Sequence, residues 1–181
     1  MCAPATAEDA GLLLGAAIAD PNPVMFFEQK SLYTKVKGSL TYTADKPLFG
    51  AVVRRHGGDV TILSYGAALH LALEAADTLA SEGIDCEVID LRVLCPLDWE
   101  MLAASVRKTS RCVVVHEDYP DYGVGAELTA RVAFQLFTDL DAPPARVGSC
   151  FWPIPFSPPL EDETLPSVER ATDAIRRVAR F

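Results

Sequence analysis

Positive charge is what this sequence has least of: 16 Lys and Arg stand against 25 Asp and Glu in 181 residues, a formal net charge of -9. Such a surface repels phosphate backbones and anionic lipid heads at long range, so nucleic acid and acidic membranes are poor partners. Long apolar runs are also missing. Leu12 to Ile18 is less than half of the ~20 residues needed to cross a bilayer, and no membrane span is expected. The first 20 residues hold Glu8, Asp9 and Asp20 with no Lys or Arg, the wrong charge for a secretory signal or a mitochondrial transit peptide. On its own the sequence is therefore not self-targeting. Cysteine pairs are absent too, since Cys2, Cys86, Cys95, Cys112 and Cys150 form no CxxC motif and several lie in strand-like runs. They read as buried reduced thiols in a reducing compartment, not as a disulfide framework or a zinc site.

What is present is an ordinary globular composition, 50% hydrophobic and 23% charged. A chain of this length buries roughly 70% of its unfolded surface and holds one full domain with residues to spare. Residues 7 to 19 are Ala- and Leu-rich and read as a helix that Asp20-Pro21-Asn22-Pro23 must end. Val24 to Phe27 reads as a short strand. Residues 28 to 47 sustain no period and read as an interdomain linker. Beyond them the pattern alternates. Residues 59 to 65 and 86 to 90 read as strands, with a helix between them whose apolar Leu69, Ala72, Leu73, Ala76 and Leu79 share one face. Gly83 ends that helix, and Asp98 caps the next, which turns Trp99, Leu102, Ala103 and Val106 inward. A buried strand at 111 to 116, a helix at 125 to 137, a short strand near Arg146-Val147, an irregular stretch at 153 to 159 and a last helix capped by Ser167 complete the series.

This βαβαβα order with a terminal helix predicts a three-layer α/β domain over residues 48 to 181. Residues 1 to 27 cannot enclose a core of their own. They read as the last elements of a preceding domain.

His116-Glu117-Asp118 is the strongest generic candidate for chemistry, because ligands of open α/β sheets sit beyond strand carboxyl ends. There a His could act as a base with a carboxylate orienting it, or three polar residues could simply end a buried strand. Gly123-Val124-Gly125 lacks the third glycine of a dinucleotide loop, and Glu127 would repel phosphate, so the glycines read as a tight turn. His70 and Glu74 read as a solvated helix pair and His56 as an exposed turn residue. With His116 they are too scattered for a transition-metal site. Asp20 and Asn22 can turn the chain or offer oxygens to a hard cation, and the spacing favours the turn. Phe151, Trp152 and Phe156 form an apolar group that either packs under its loop or faces a partner.

The segments Glu87-Val88-Ile89-Asp90-Leu91-Arg92, Cys95-Pro96-Leu97-Asp98, Val114-Val115-His116-Glu117-Asp118, Gly125-Ala126-Glu127 and Pro153 to Asp162, in this order, resemble the beta subunit of thiamine-diphosphate-dependent 2-oxo acid dehydrogenases. Pro23 to Lys30 with Leu32-Tyr33 resembles the same family, so the likeness covers essentially the whole chain. It implies a transketolase-like architecture. A C-terminal domain with a mostly parallel five-stranded sheet (48 to 181) would follow a linker (28 to 47) and the tail of a truncated pyrimidine-binding domain (1 to 27).

The activity implied is oxidative decarboxylation of a 2-oxo acid, pyruvate or branched-chain, with acyl transfer to lipoyl groups. The resemblance places the Glu that activates the cofactor and the catalytic His upstream of Met1, and assigns the diphosphate and its magnesium to a separate alpha subunit. No residue of this chain is thus expected to be catalytic or to hold thiamine diphosphate by itself. His116 and Glu117 are no substitutes, since the resemblance sets them away from the cofactor. It also implies a potassium site using Ala17, Asp20 and Asn22 with upstream oxygens, a beta-beta homodimer contact, and docking of the lipoyl acyltransferase core. A basic partner of that kind suits the charge of -9, with Phe181 either part of that surface or a frayed last residue. The expected location is the cytoplasm, or the mitochondrial matrix in a eukaryote. A non-catalytic interaction module is the alternative.

Overall fold

Four strand-forming runs, Val60–Ser64 (β2), Cys86–Asp90 (β3), Cys112–Val115 (β4) and Ala145–Val147 (β5), pair in parallel register, and Val52–Arg55 (β1) joins β3 antiparallel at one edge. The computed structural model describes residues 1–39 and 49–181. Its sheet has the order β1-β3-β2-β4-β5, the mostly parallel five-stranded sheet that the sequence implies. The expected linker falls partly outside the described residues.

Alternation along each strand sorts the core into two layers. Val60, Ile62, Val88, Val113 and Val115 pack with the helices Ala68–Ala80 (α3) and Val168–Ala179 (α7). Leu63, Ile89 and Val114 point the opposite way, towards Trp99–Thr109 (α4) and Val124–Gln135 (α5). Both faces being covered is why the strands read as continuous apolar runs. The caps lie where expected: Asp98 accepts from Met101 N at 3.4 Å and Ser167 from Arg170 N at 3.2 Å. Gly83, at φ 80°, closes α3 in the left-handed conformation that glycine adopts without a Cβ penalty.

A buried polar chain crosses the α4 layer. The Thr61 hydroxyl lies 2.7 Å from Ser105 Oγ and 2.8 Å from Thr109 Oγ1, and Ser105 donates to Glu87, which also pairs with Lys108. Burial alone would raise the Glu87 carboxyl, but the Lys108 and Ser105 bonds outweigh it and hold the group below its ordinary value.

Several expectations need correction. Val24 to Phe27 is not a strand. Phe26 makes one isolated bridge to Cys2, with Cys2 N to Met25 O at 2.9 Å and Phe27 N to Cys2 O at 2.8 Å, because only this single residue finds a partner. Residues 28 to 39 contain one short turn of helix, Leu32–Lys35 (α2), and the irregular stretch ends at Pro158, where Pro158–Thr164 (α6) begins with proline in its first turn. All five cysteines are free, yet only Cys2, Cys86 and Cys112 are buried; Cys95 is exposed and Cys150 half-buried. None of the described helices is long and apolar enough to cross a membrane.

The N-terminal segment is joined to this domain by charge. Thr6 caps the helix Ala7–Ala19 (α1) and donates to Asp9 at 2.7 Å. Asp9, fully buried, pairs with Arg54 on β1 and with Arg92 Nε at 2.9 Å, and Arg54 Nη2 reaches Asp90 at 2.8 Å. Backbone bonds add to the join, from Ala3 N to Arg92 O and from Leu94 N to Met1 O, both 2.8 Å. Asp9→Ala would leave two guanidiniums facing a single buried carboxylate. The expected loss is about 3–5 kcal/mol in urea unfolding, and a loss below about 1 kcal/mol, as for an exposed pair, would show that the cluster is not what anchors α1.

Candidate functional site

The carboxyl end of β4 delivers His116, Glu117 and Asp118 to one place, but the structure sends their side chains to separate partners. His116 is fully buried. Its ring sits 6.4 Å from the Tyr65 ring and directly under Gly125 at the start of α5. Neither ring nitrogen has a hydrogen-bond partner among the described residues. Burial holds the imidazole below its ordinary value, against the opposing field of Asp118. Its carboxylate neighbours do not orient it as a base, so the His-carboxylate pair conceivable from the sequence does not form.

Glu117 turns towards the segment after α1. It accepts from Gln29 Nε2, and Gln29 Oε1 in turn accepts from Ala67 N at the start of α3. Burial raises the Glu117 carboxyl, with Lys35 pulling the other way and Glu161 adding to the rise. Asp118 accepts from Tyr119 N at 2.8 Å through its own side chain, and its carbonyl accepts from Ser149 N at 3.1 Å.

Beside Glu117 opens a cleft of about 840 Å³ between α2, the start of α3, and α6 with the start of α7. Lys30 and Lys35 line one part of it; Glu117, Glu161 and Asp162 line another. His70 belongs to it as well, which the solvated-pair reading missed: its Nε2 lies 2.9 Å from Ala5 O, so the ring is half-buried at the junction with the N-terminal segment. His56 is exposed as expected. Gln29 lies in the Pro23 to Lys30 segment of the resemblance, but no local pattern marks its role, because its two partners are 38 and 88 residues away.

The glycine pair at the start of α5 is explained by close approach and not by a tight turn. A Cβ on Gly125 would lie 2.8 Å from Cδ2 and 2.9 Å from Cε1 of His116, and one on Gly123 would meet Asp118 Cγ at 2.9 Å. Asp20 and Asn22 meet just after α1, where Asp20 Oδ1 accepts from Asn22 N at 2.8 Å and from Asn22 Nδ2 at 3.0 Å, while Ala17 lies in the last turn of that helix. These two bonds, the backbone one first, hold the exposed Asp20 carboxyl below its ordinary value. Among the described residues no group of three or more His, Cys, Asp or Glu is placed to hold a metal ion. Phe151, Trp152, Ile154, Phe156 and Leu160 are exposed, so the apolar group does not pack under its loop. Trp152 Nε1 is fixed by Thr164 Oγ1 at 2.9 Å, and Phe151 meets the Tyr119 ring edge-on at 5.1 Å. Phe181 is exposed at the end of the chain.

An unfolded histidine titrates near its ordinary value of about 6.5, whereas His116 in the fold titrates lower, so the unfolded state binds more protons as pH falls below about 6.5. Stability must then drop on acidification through that window, by at most about 1.4 kcal/mol per pH unit. Unfolding free energies measured from neutral to mildly acidic pH should show this component in the natural protein and lose it in His116→Asn; equal slopes would refute it. Gly125→Ala should cost about 1–3 kcal/mol by overpacking against the ring. In His116→Ala background that cost should largely vanish, and a double-mutant cycle without coupling would contradict the contact.

Comparison with known proteins agrees with this fold. Residues 50–170 match the family model "Transketolase, C-terminal domain". The chain is 44% identical over 179 residues to pyruvate dehydrogenase E1 component subunit beta-1, mitochondrial, of Arabidopsis thaliana, covering 97% of this chain and 49% of that protein. It is 42% identical over 179 residues to the 3-methyl-2-oxobutanoate dehydrogenase subunit beta of Mycobacterium tuberculosis, covering 98% and 51%. The chain thus spans about half the length of these curated relatives. A solved structure described as "Split gene transketolase, inactive beta4 tetramer" superposes with a TM-score of 0.74 at 23% identity, covering 99% of this chain and 57% of that one. With a family model matched over residues 50–170 and a five-stranded, mostly parallel sheet covered on both faces, the chain belongs to the transketolase C-terminal domain family.

Proposed function

We propose that the chain supplies the C-terminal portion of a beta-type subunit in a thiamine-diphosphate-dependent 2-oxo acid dehydrogenase. The observation that carries this reading is identity above 40% over nearly all 181 residues to beta subunits of two such enzymes, one named for pyruvate and one for 3-methyl-2-oxobutanoate. The substrate proposed is accordingly pyruvate or a branched-chain 2-oxo acid. Residues 1–27 are the tail of a pyrimidine-binding domain, 28–47 the linker and 48–181 the C-terminal domain. The relatives support the cytoplasm, or the mitochondrial matrix in a eukaryote, as the place of action.

The described residues do not fit the cofactor's magnesium, having no group of three or more His, Cys, Asp or Glu placed to hold a metal ion. When bound, thiamine diphosphate supplies the carbanion that attacks the 2-oxo carbonyl. On this reading the carboxylate and proton donor that serve it, together with the magnesium ligands, come from polypeptide outside these residues, including an alpha subunit. His116, Glu117 and Asp118 are structural, since they face Gly125, Gln29 and Tyr119. Ala17, Asp20 and Asn22 serve potassium only if another segment adds oxygens, because one Asp20 oxygen is already engaged by Asn22.

The surfaces proposed for assembly are a beta-beta contact and a docking site for a basic element of the lipoyl acyltransferase core, with Phe181 at its edge. The exposed Phe151, Trp152, Phe156 and Leu160 favour a second reading, a module that joins partners without chemistry of its own.

Calorimetric titration of the purified chain with thiamine diphosphate and magnesium should give no heat of binding. Mixed with an alpha-type subunit and a polypeptide matching the other half of the relatives, the chain should restore cofactor binding and release of carbon dioxide from a 2-oxo acid. Micromolar binding by the chain alone would overturn the division of labour, and a reconstituted mixture active without this chain would favour the second reading.

A further inference from the structure

Three of the chain's 16 basic residues converge on one small pocket, although the protein as a whole is acidic. Arg146 from β5 and Arg170 and Arg177 from α7 line a cavity of about 240 Å³, together with Pro120 and Gly148. Two of the guanidiniums are fixed before any ligand arrives. Arg170 donates to Gly148 O at 2.7 Å and to Leu165 O at 3.1 Å, and Arg146 is held between Thr129 Oγ1 at 3.4 Å and Asp121 at 3.3 Å. Both of Arg170's protein acceptors are neutral carbonyls, so its charge is not cancelled. Arg177 is different again: it makes no hydrogen bond or ion pair among the described residues and borders the pocket with its charge unspent. Asp173 also lines the cavity, but Arg176 Nη1 holds its carboxylate at 2.6 Å. The local balance is positive.

From this arrangement we propose that the pocket binds a compact oxyanion of the phosphate class, either inorganic phosphate or the phosphate of a small monoester. Guanidinium groups meet tetrahedral oxyanions through paired N–H donors, and groups already fixed lose little freedom on binding. Size limits the ligand. The cavity is several times the ~30 Å³ share of a water molecule but below the roughly 300 Å³ at which sites for larger organic ligands begin. The site is built from α7 and β5 and shares no lining residue with the Glu117 cleft, and it stands whether or not the chain serves a dehydrogenase.

The test is thermal unfolding and calorimetry of the full chain with sodium phosphate, against sodium chloride at matched ionic strength. Phosphate should stabilise saturably where chloride does not. Arg177→Ala removes no internal bond, so it should fold normally and bind phosphate weaker by on the order of tenfold or more. Arg146→Gln should weaken binding as well, and Arg107→Ala, an exposed α4 arginine paired with Asp139, should bind as the natural protein does. Phenyl phosphate binding much tighter than phosphate identifies a monoester as the ligand; equal affinity identifies the free ion. A phosphate effect no larger than that of chloride, unchanged binding in Arg177→Ala, or equally tight binding of succinate would each overturn the proposal.

Discussion

Four charged side chains meet in one cluster, Asp9, Asp90 and Arg92 fully buried and Arg54 partly so, and the seating of α1 on the sheet depends on them. Burying each alone would be costly, and a pair in low dielectric regains that cost only when its geometry and its remaining hydrogen bonds are good. Here two cations face two anions. Burial pushes the Asp90 carboxyl up while Arg54 pulls it back, and Arg54 is raised because Asp90, and after it Asp9, outweigh its own desolvation. Asp9 belongs to α1, Arg54 to the edge strand, and Asp90 and Arg92 to the end of β3. Charge neutrality can therefore be reached only when all three elements meet. That meeting sets the course of the chain after α1 and brings Gln29 within reach of both Glu117 and Ala67.

Much of the central sheet is legible in the sequence, for a physical reason. Parallel strands buried on both sides must be apolar along their length, as in Val113-Val114-Val115, and their covering helices carry caps of ordinary chemistry at Asp98 and Ser167. The edge strand hides. Val52–Arg55 is half-buried throughout and ends in two arginines, so it has neither apolar continuity nor a clean alternation, and it precedes a turn at His56-Gly57-Gly58. Val24 to Phe27 misleads in the opposite sense, because β-branched and aromatic residues give strand propensity without a neighbouring strand to pair with.

The candidate site was legible in position and not in geometry. Strand-end polarity places His116-Glu117-Asp118 at the carboxyl end of β4, but whether those groups face one another is decided by residues elsewhere in the sequence: Gly125, whose missing side chain makes room for the imidazole, and Gln29, 88 residues from the carboxylate it meets. No local pattern encodes such contacts.

A sheet covered on both faces has an ambiguity that a half-exposed sheet lacks. When one face is wet, sliding a strand by one residue throws its apolar side chains into water, and the error corrects itself energetically. Here a slip of β2 would exchange Ile62 for Leu63 between two equally oily layers at little cost. The buried Thr61 hydroxyl removes the degeneracy: only in the native register, with Thr61 opposite Glu87 and Cys112, can it reach Ser105 and Thr109 while Ser105 and Lys108 satisfy Glu87. Those few polar atoms act as an index pin for the sheet, so that greasy strands, interchangeable by hydrophobicity, have a single alignment.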